Sequence, residues 1–419
     1  MFSVKNAIYL GAAVDLLVDE GKVVTMTPHG HGNMPADCEV FEAGGLLLFP
    51  SLIDAHTHLR EPGQTWKEDI NSGLNAALHG GFGKILCMAN TKPVNDNEAV
   101  TIFMRARAKE THPDGPALFP VAAATMGLEG KEMAPLAELK NAGCIAVSND
   151  GQPVHSAEMV RRVMEYAADL GMIFIDHCED PHLGNGWIMN EGKVSGELGL
   201  KGQPGCGEAM QAGRDILLAE YLNLPVHIAH VSSKLTVDVI AWGKSRGVKV
   251  TAETCPHYLL LDDTVMRNYN TLAKVSPPIR SEEDRDALLN AVKTGLIDII
   301  ATDHAPHTML EKNDTLDVAP CGISGLDSAF SLVYSLKKSG ILSEADIVRL
   351  MSRRPGEIFG LAHNEFNPGD AANFFLFDLE KEWRVEEENM WSKSCNTPYL
   401  HKNLQGKIVH HWLDGKQLF

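Results

Sequence analysis

The feature that most constrains the fold is a series of eight short apolar segments between residues 46 and 304. Each has the length and composition of a β-strand buried on both faces, and the stretches between them are long enough to hold helices. The segments are LLLFPSLI, KILCMAN, ALFPVAAAT, CIAVSND, MIFIDHC, PVHIAHV, VKVTAET and IDIIATDH. Strands that alternate with helices form a parallel sheet, and eight such units are the number that closes a barrel. The sequence therefore predicts an α/β fold with a (β/α)8, TIM-like barrel.

Both ends of the chain carry short, strand-like segments separated by glycines. Residues 1–45 contain AIYL, VVTM and CEVFEA, and residues 366–419 contain NFFLFD and KIVHHWLDG. Neither set has enough strands to be stable alone, so we expect the two ends to pair. The prediction is a small, sandwich-like β domain made of 1–45 and 366–419, beside a catalytic barrel made of 46–365.

Composition excludes several classes of function. Apolar residues make up 44% of the chain and charged residues 22%, and no apolar run approaches the ~20 residues of a membrane-spanning helix. The first residues do not resemble a secretion signal. A net charge of −18 argues against nucleic acid as a partner, so an anionic substrate would need local positive charge. The eight cysteines form no C-x-x-C pair, which favours a reducing compartment, the cytoplasm.

Polar residues suited to chemistry follow the apolar segments, close to where each predicted strand ends. They are His56, His58, Asn90, Asp150, His177, His230 and Asp303. Barrel enzymes build their active sites at this carboxyl-terminal rim, from the tips of several strands. Histidines that only fill a core would fall at any depth of a strand. The pattern therefore predicts a metal site at the barrel mouth.

The first of these tips, in GGLLLFPSLIDAHTHLREPG, is the most informative. Alternate side chains of a strand share a face, so His56 and His58 can reach one cation. Arg60 falls on the same face if the strand continues that far. Its planar guanidinium can bind a carboxylate through two hydrogen bonds. The segment thus predicts a metal site with an anion-binding arginine beside it.

With these motifs in view, the chain resembles the dihydroorotases, cyclic amidohydrolases of the amidohydrolase superfamily. The resemblance rests on HLREPG at 58–63, TDHAPH at 302–307 and NTPY at 396–399, and it extends through CMANTKPV, SNDG, DHCED, VHIAHVSS, TAETCPHYLLL and CGISGLDSAFSL. It implies a metal-dependent barrel enzyme of pyrimidine synthesis that interconverts dihydroorotate and N-carbamoyl-aspartate.

The resemblance implies six metal ligands, which are His56, His58, Asp150, His177, His230 and Asp303. The first two histidines and Asp303 would hold one metal, the other two histidines a second, and Asp150 would lie between them. Many relatives use a carboxylated lysine on the fourth strand, where this chain has AVSND and therefore Asp150. Nitrogen and oxygen donors suit Zn²⁺, and we expect two zinc ions per chain, with a single ion as the alternative. Cys178 should face away from the site and pack in the core.

The resemblance also implies roles in turnover. Asp303 would be the catalytic residue, taking a proton during attack on the cyclic amide and returning it to the ring nitrogen. Arg60 and Asn90 would bind the substrate carboxylate. His307 and the backbone around Gly322 would contact the ring, on a polar loop that can close over the site. Ser276 stands in SPPIR where the family commonly has Asn, so substrate affinity or specificity would be the property affected.

Two other interpretations stay open on the sequence. One is a different cyclic amidohydrolase, an allantoinase or hydantoinase, against which Arg60 argues. The other is a catalytically silent scaffold paralogue, against which the complete ligand set argues. The resemblance further suggests a homodimer, with an association with aspartate transcarbamoylase as a possible partnership.

Overall fold

Strands and helices alternate along the middle of the chain, and further strands flank them at both ends. The structure, a computed structural model, describes residues 1–32, 35 and 37–419. The strands are β1 Phe2–Tyr9, β2 Ala12–Asp19, β3 Lys22–Pro28, β4 Glu39–Glu42, β5 Leu47–Pro50, β6 Leu52–Thr57, β7 Phe82–Cys87, β8 Ala117–Pro120, β9 Ala122–Ala123, β10 Ala146–Ser148, β11 Ile173–Asp176, β12 Met189–Asn190, β13 Gly202–Gln203, β14 Val226–Ile228, β15 Val250–Thr254, β16 Ile299–Ile300, β17 Phe374–Arg384, β18 Asn403–Leu413 and β19 Lys416–Gln417.

The helices lie mainly between the barrel strands. They are α1 Ile70–His79, α2 Glu98–Thr111, α3 Leu136–Ala142, α4 Ala157–Asp169, α5 Lys193–Leu198, α6 Cys206–Leu222, α7 Lys234–Ser245, α8 Pro256–Leu260, α9 Glu282–Thr294, α10 Met309–Lys312, α11 Ala329–Lys338, α12 Glu344–Val348 and α13 Arg354–Phe359. Several begin at a side-chain cap, as α9 does at Ser281, whose hydroxyl accepts from the Asp284 N–H. Among the described residues, no helix combines the length and apolarity that crossing a membrane requires.

The central strands form a closed parallel barrel. Hydrogen bonding runs in the orders β6-β7-β8 and β9-β10-β11-β14-β15-β16, and β8 and β9 are two halves of one barrel strand that pair with β7 and β10 respectively. The first and last strands meet through a parallel bridge between Thr57 and His304, where the His58 N–H donates to the His304 carbonyl at 2.8 Å. The predicted (β/α)8 barrel with a small β domain is confirmed.

Alanines and larger apolar side chains together fill the barrel interior. A buried cluster inside the strands includes Ala55, Ala146 and Ala229 beside Ile175 and Ile299. A larger apolar layer packs the helices against the outside of the barrel. Both faces of each strand are therefore covered, which explains why the strands appear in the sequence as continuous apolar segments.

The two chain ends share one sheet with the strand order β19-β18-β17-β5-β1-β2-β3, in which β4 also pairs with β1. The segment LLLFPSLI, expected as a single strand, is split at Ser51. Its first half, β5, pairs antiparallel with β17, and its second half, β6, enters the barrel. The boundary at residues 45 and 46 stays a prediction, but this pairing places Leu47–Pro50 among the terminal strands.

Candidate metal centre and anion site

The six candidate ligands converge at the carboxyl end of the barrel. They lie in or directly beyond their strands, which are β6 for His56 and His58, β10 for Asp150, β11 for His177, β14 for His230 and β16 for Asp303. All six are buried, with at most 5% of each residue exposed. The parallel barrel places all these strand ends at one rim, so His56 and Asp303, 247 positions apart in sequence, lie in contact there.

Asp150 lies at the centre of the group. Its Oδ1 is 3.2 Å from His56 Nε2, 3.4 Å from His177 Nδ1 and 3.3 Å from His230 Nε2, and its Oδ2 is 3.4 Å from His58 Nε2. One carboxylate thus contacts all four imidazoles. The fourth strand therefore places a carboxylate, and no lysine, at the centre of the four imidazoles.

Asp303 completes a second group of potential ligands with His56 and His58. Its Oδ1 is 3.2 Å from His58 Nε2 and 3.6 Å from His56 Nε2. Burial acts to raise the pKa of Asp303, but the hydrogen bond from His58 and the nearby His56 hold it below its ordinary value. Asp303 is therefore a carboxylate at neutral pH, able to accept a proton. His58 is oriented from behind by Asn90, whose Oδ1 is 2.7 Å from His58 Nδ1.

Two carboxylates that were not predicted from the sequence contact the histidines on the ring nitrogens that face away from the other candidate ligands. Glu253, fully buried in β15, lies 2.6 Å from His56 Nδ1 and also accepts from the His230 N–H. Glu179 lies 3.3 Å from His177 Nε2. Carboxylates in this position fix the ring orientation of metal-bound histidines and make them more basic. An acidic residue inside the apolar segment VKVTAET was the signal that could have identified Glu253.

The donor set fits a divalent metal ion. His56 Nε2 and His230 Nδ1 are buried with no hydrogen-bond partner among the described residues. Burial alone would lower the pKa of His56, but Asp150 and Glu253 hold it well above its ordinary value, and Asp150 and Glu179 raise the pKa of His177 to about 10. The surroundings thus strongly favour positive charge on these rings. Imidazole nitrogens and carboxylate oxygens around such a point are the ligands that zinc prefers.

Arg60 lies beside this group but does not continue the strand. β6 ends at Thr57, and Arg60 has a φ of 59°, which turns its side chain toward the loop after β16. Its Nε donates to the Pro306 carbonyl at 3.2 Å, and its Nη2 lies 3.3 Å from His307 Nε2. Within the described part of the chain, no carboxylate forms an ion pair with this half-buried guanidinium. A charge held this way is ready for an anionic ligand.

Three site residues have backbone conformations that side chains seldom adopt. The φ angles are 59° for Arg60, 31° for His230 and 47° for Asp303. Each such conformation costs about 1–3 kcal/mol and persists only where the surroundings enforce it. The barrel rim therefore holds these three residues in conformations that serve the site rather than local stability.

The remaining predicted contacts lie around His307. Gly322 is next to it, because a Cβ on Gly322 would come within 2.8 Å of His307 Cδ2. The Gly322 N–H donates to the Lys274 carbonyl at 2.9 Å, and its carbonyl accepts from Lys312 and Asn396, so its backbone groups are already engaged. The half-buried Ser276 makes no side-chain hydrogen bond to another described residue. The roles of Ser276 and Gly322 in binding stay predictions.

Cys178 points away from the histidines. Its thiol lies 3.5 Å from the Asp176 carboxylate and near Asp215. These three residues are close enough to hold a cation, but Arg214 already pairs with both carboxylates, at 3.4 Å and 2.7 Å. The guanidinium of Arg214 thus neutralises this cluster in place of a metal ion. Cys178 itself lies in the buried interior, as expected.

A closed parallel barrel whose mouth gathers four histidines and two aspartates defines a metal-binding hydrolase of the amidohydrolase type. Solved structures share this fold. The L-hydantoinase (dihydropyrimidinase) from Arthrobacter aurescens superposes with a TM-score of 0.88 at 21% identity, covering 100% of this chain and 96% of that one. At this identity the likeness concerns the fold alone.

Sequence comparison is more specific. The family model described as Dihydro-orotase-like matches residues 45–236. The dihydroorotase of Syntrophus aciditrophicus is 44% identical over 410 residues, which cover 98% of this chain and 96% of the relative. The dihydroorotase of Geotalea daltonii is 45% identical over 404 residues, covering 96% of this chain and 94% of the relative. The chain belongs to the dihydroorotase family, which confirms the resemblance stated from its motifs.

Proposed function

We propose that this protein is a dihydroorotase, a hydrolase that opens the cyclic amide of dihydroorotate to N-carbamoyl-aspartate and catalyses the reverse ring closure in pyrimidine biosynthesis. The observation that carries the proposal is the position of Arg60. It is a cation without a carboxylate partner among the described residues, and it lies beside a group of histidines and aspartates that could hold a metal ion. A neutral cyclic amide has no anionic group with which this guanidinium could form an ion pair. Dihydroorotate has a carboxylate next to the ring amide, which matches both parts of the site.

The positive charge around Arg60 supports an anionic substrate. Lys67 is buried 3.2 Å from His307 Nδ1, and Arg60 lies on the other side of the same imidazole. Glu311 pairs with Lys67 at 3.0 Å, which leaves Arg60 as the cation available to an anion on a chain with a net charge of −18. Fixed donors in a partly buried pocket bind a carboxylate more strongly than solvated ones do. Asn90, which holds His58 through its oxygen, leaves its amide nitrogen for the same carboxylate.

The protein's own residues account for substrate orientation and proton transfer. A bound divalent metal would supply Lewis acidity and a low pKa for water, which a stable cyclic amide needs at neutral pH. Arg60 and His307 orient the substrate through its carboxylate. Asp303, at the tip of β16, accepts the proton released as the carbon–oxygen bond forms. The same carboxyl group then returns that proton to the ring nitrogen as the carbon–nitrogen bond breaks.

We further propose that the metal is zinc and that two ions bind per chain. Two overlapping groups support this number, His56 with His58 and Asp303, and His56 with Asp150 and His230. His177 contacts both Asp150 and His230 and would have no evident use in a one-metal site.

The competing interpretations differ in what they predict for substrates. We expect the zinc-loaded protein to hydrolyse dihydroorotate with a kcat/KM about 10- to 100-fold above that for hydantoin or allantoin, because charged hydrogen bonds of about 1.5–3 kcal/mol to the carboxylate are lost with the neutral rings. Parallel assays of the three compounds and of ring closure with N-carbamoyl-aspartate measure this. Preference for a neutral ring would favour a hydantoinase or allantoinase, and no turnover of any compound would favour a silent scaffold.

Replacing Arg60 with Lys should raise KM for dihydroorotate about tenfold or more and change kcat much less. Lysine keeps the charge but presents a single point donor in place of a planar fork. Steady-state kinetics on the zinc-loaded enzyme measure the change. Arg267→Lys is a matched control, because Arg267 is half-exposed and pairs with Glu197 on the surface. Unchanged kinetics in Arg60→Lys would contradict the assignment of Arg60 to the carboxylate.

We also propose a cytoplasmic location and a homodimer. The eight cysteines, all within the described residues, are free thiols, as a reducing compartment favours. The homodimer and an association with aspartate transcarbamoylase stay predictions from the family resemblance, and size-exclusion chromatography with light scattering, alone and with the transcarbamoylase, would test both.

A further inference from the structure

Lys67 is a buried cation that neither the motifs nor the family comparison assigns. It lies in the loop between β6 and α1, only 9% exposed, directly after Trp66, which is 61% exposed. Its Nζ is 3.2 Å from His307 Nδ1 and 3.0 Å from Glu311 Oε1, at α10. Burying a lysine removes its hydration, which the ion pair with Glu311 compensates, and the same ammonium group is thereby held against the ring of His307.

The ring of His307 has a cationic donor at each nitrogen. Lys67 faces Nδ1, and Arg60 Nη2 faces Nε2 at 3.3 Å. Burial, together with Arg60 and Lys67, holds the pKa of His307 far below its ordinary value, so the ring is neutral. A neutral imidazole has one N–H donor and one acceptor. Only one of the two cations can therefore donate to the ring, and the other must face an N–H.

We propose that Lys67 is a positioning residue that donates to His307 Nδ1 and thereby places the proton of His307 on Nε2, making that nitrogen a donor to the substrate carboxylate. This inference rests on the proposed function. The ammonium group of Lys67 has three N–H donors, so it can donate to His307 Nδ1 and to Glu311 at the same time. Arg60 already donates to the Pro306 carbonyl through Nε.

The consequence is a pair of neighbouring donors with no carboxylate of the described residues between them, while the His307 ring also lies near the Cys321 backbone carbonyl. His307 Nε2–H and Arg60 Nη2 lie 3.3 Å apart, and among the described residues no carboxylate reaches either. A carboxylate oxygen placed between two such donors would accept from both. The neighbouring N–H groups repel each other until an anion arrives, so the site discriminates in favour of a ring that carries a carboxylate.

The tautomer can be observed directly. Long-range nitrogen–proton NMR correlation on zinc-loaded protein with ¹⁵N-labelled histidine reports which ring nitrogen carries the proton, and the His307→Gln spectrum identifies the signal of His307. We expect Nε2–H in the unaltered protein and a shift to Nδ1–H in Lys67→Met, where Arg60 becomes the only cationic donor. Nδ1–H in the unaltered protein would overturn the inference.

Kinetics provide an independent readout. Lys67→Met should raise KM for dihydroorotate about 10- to 100-fold with a much smaller change in kcat, whereas Lys67→Arg, which keeps a donor, should recover most of the affinity. Lys234→Met is the matched control: Lys234 is partly exposed, pairs with Asp238 on the same helix, α7, and should leave KM unchanged. An unaltered KM in Lys67→Met, or a fall in kcat alone, would overturn the inference.

The two proposals fail in different ways. If the zinc-loaded protein does not turn over dihydroorotate, the proposed function fails, while the NMR measurement still decides the state of His307. If dihydroorotate is hydrolysed but His307 carries its proton on Nδ1, the function stands and the role of Lys67 is wrong. Should Lys67→Met fold poorly, as judged by circular dichroism, Lys67→Gln, which removes the charge, replaces it, and Lys67→Arg stays the rescue variant.

Discussion

Replacing Asp303 with Asn is expected to lower kcat for dihydroorotate about 10²- to 10⁴-fold, the range typical of a lost general acid–base group. Asn has nearly the same shape but cannot accept and return a proton. The carboxylate lies at the barrel rim, 3.2 Å from His58, in a left-handed backbone conformation that no local element requires. Steady-state kinetics in both reaction directions should show the same loss, because one group serves ring opening and closure.

Controls separate this loss from an effect on metal binding. Elemental analysis of Asp303→Asn should show how much zinc remains, since four histidines and Asp150 are still present. Asp238→Asn, an exposed carboxylate on α7 that pairs with Lys234, is a matched control and should leave kcat unchanged. Metal-dependent activity well above a trace in Asp303→Ala would contradict the catalytic role.

Removing the metal should abolish activity completely and lower the thermal unfolding midpoint, and zinc should restore both. A ligand that binds only the folded state stabilises it by an amount that grows with its concentration relative to Kd, about 4 kcal/mol at a thousandfold excess. Without a cation, His230 Nδ1 stays buried with no hydrogen-bond partner among the described residues, which is unfavourable. Dialysis against a chelator, followed by differential scanning calorimetry and assay, measures both effects.

Metal titration also decides the number of ions. We expect activity to reach its maximum at two zinc ions per chain, because the two groups of ligands share His56 and have Asp150 close to all four imidazoles. Full activity at one zinc ion per chain would contradict the two-metal proposal. Magnesium in place of zinc is a useful control, because histidine-rich sites bind magnesium poorly.

The barrel and the identity of the candidate ligands could be predicted from the sequence because both depend on local pattern. An apolar segment that alternates with a helix needs cover on both faces, and a polar residue at its carboxyl end must lie at the barrel rim. His177 and Asp303 follow their strands in this way. The orientation of Arg60 could not be predicted in this way, because its φ of 59° interrupts the strand geometry that the prediction assumed.

The partners of these residues depended on contacts between distant parts of the chain. Glu253 contacts His56 across 197 positions, and Lys67 contacts His307 across 240. Ser51 divides one apolar segment between two sheets because β17, more than 300 residues later, pairs with its first half. A residue's chemistry and the period of its neighbours are properties of the local sequence. Which side chain faces it is decided only when the barrel closes between Thr57 and His304 and brings separate strand ends together.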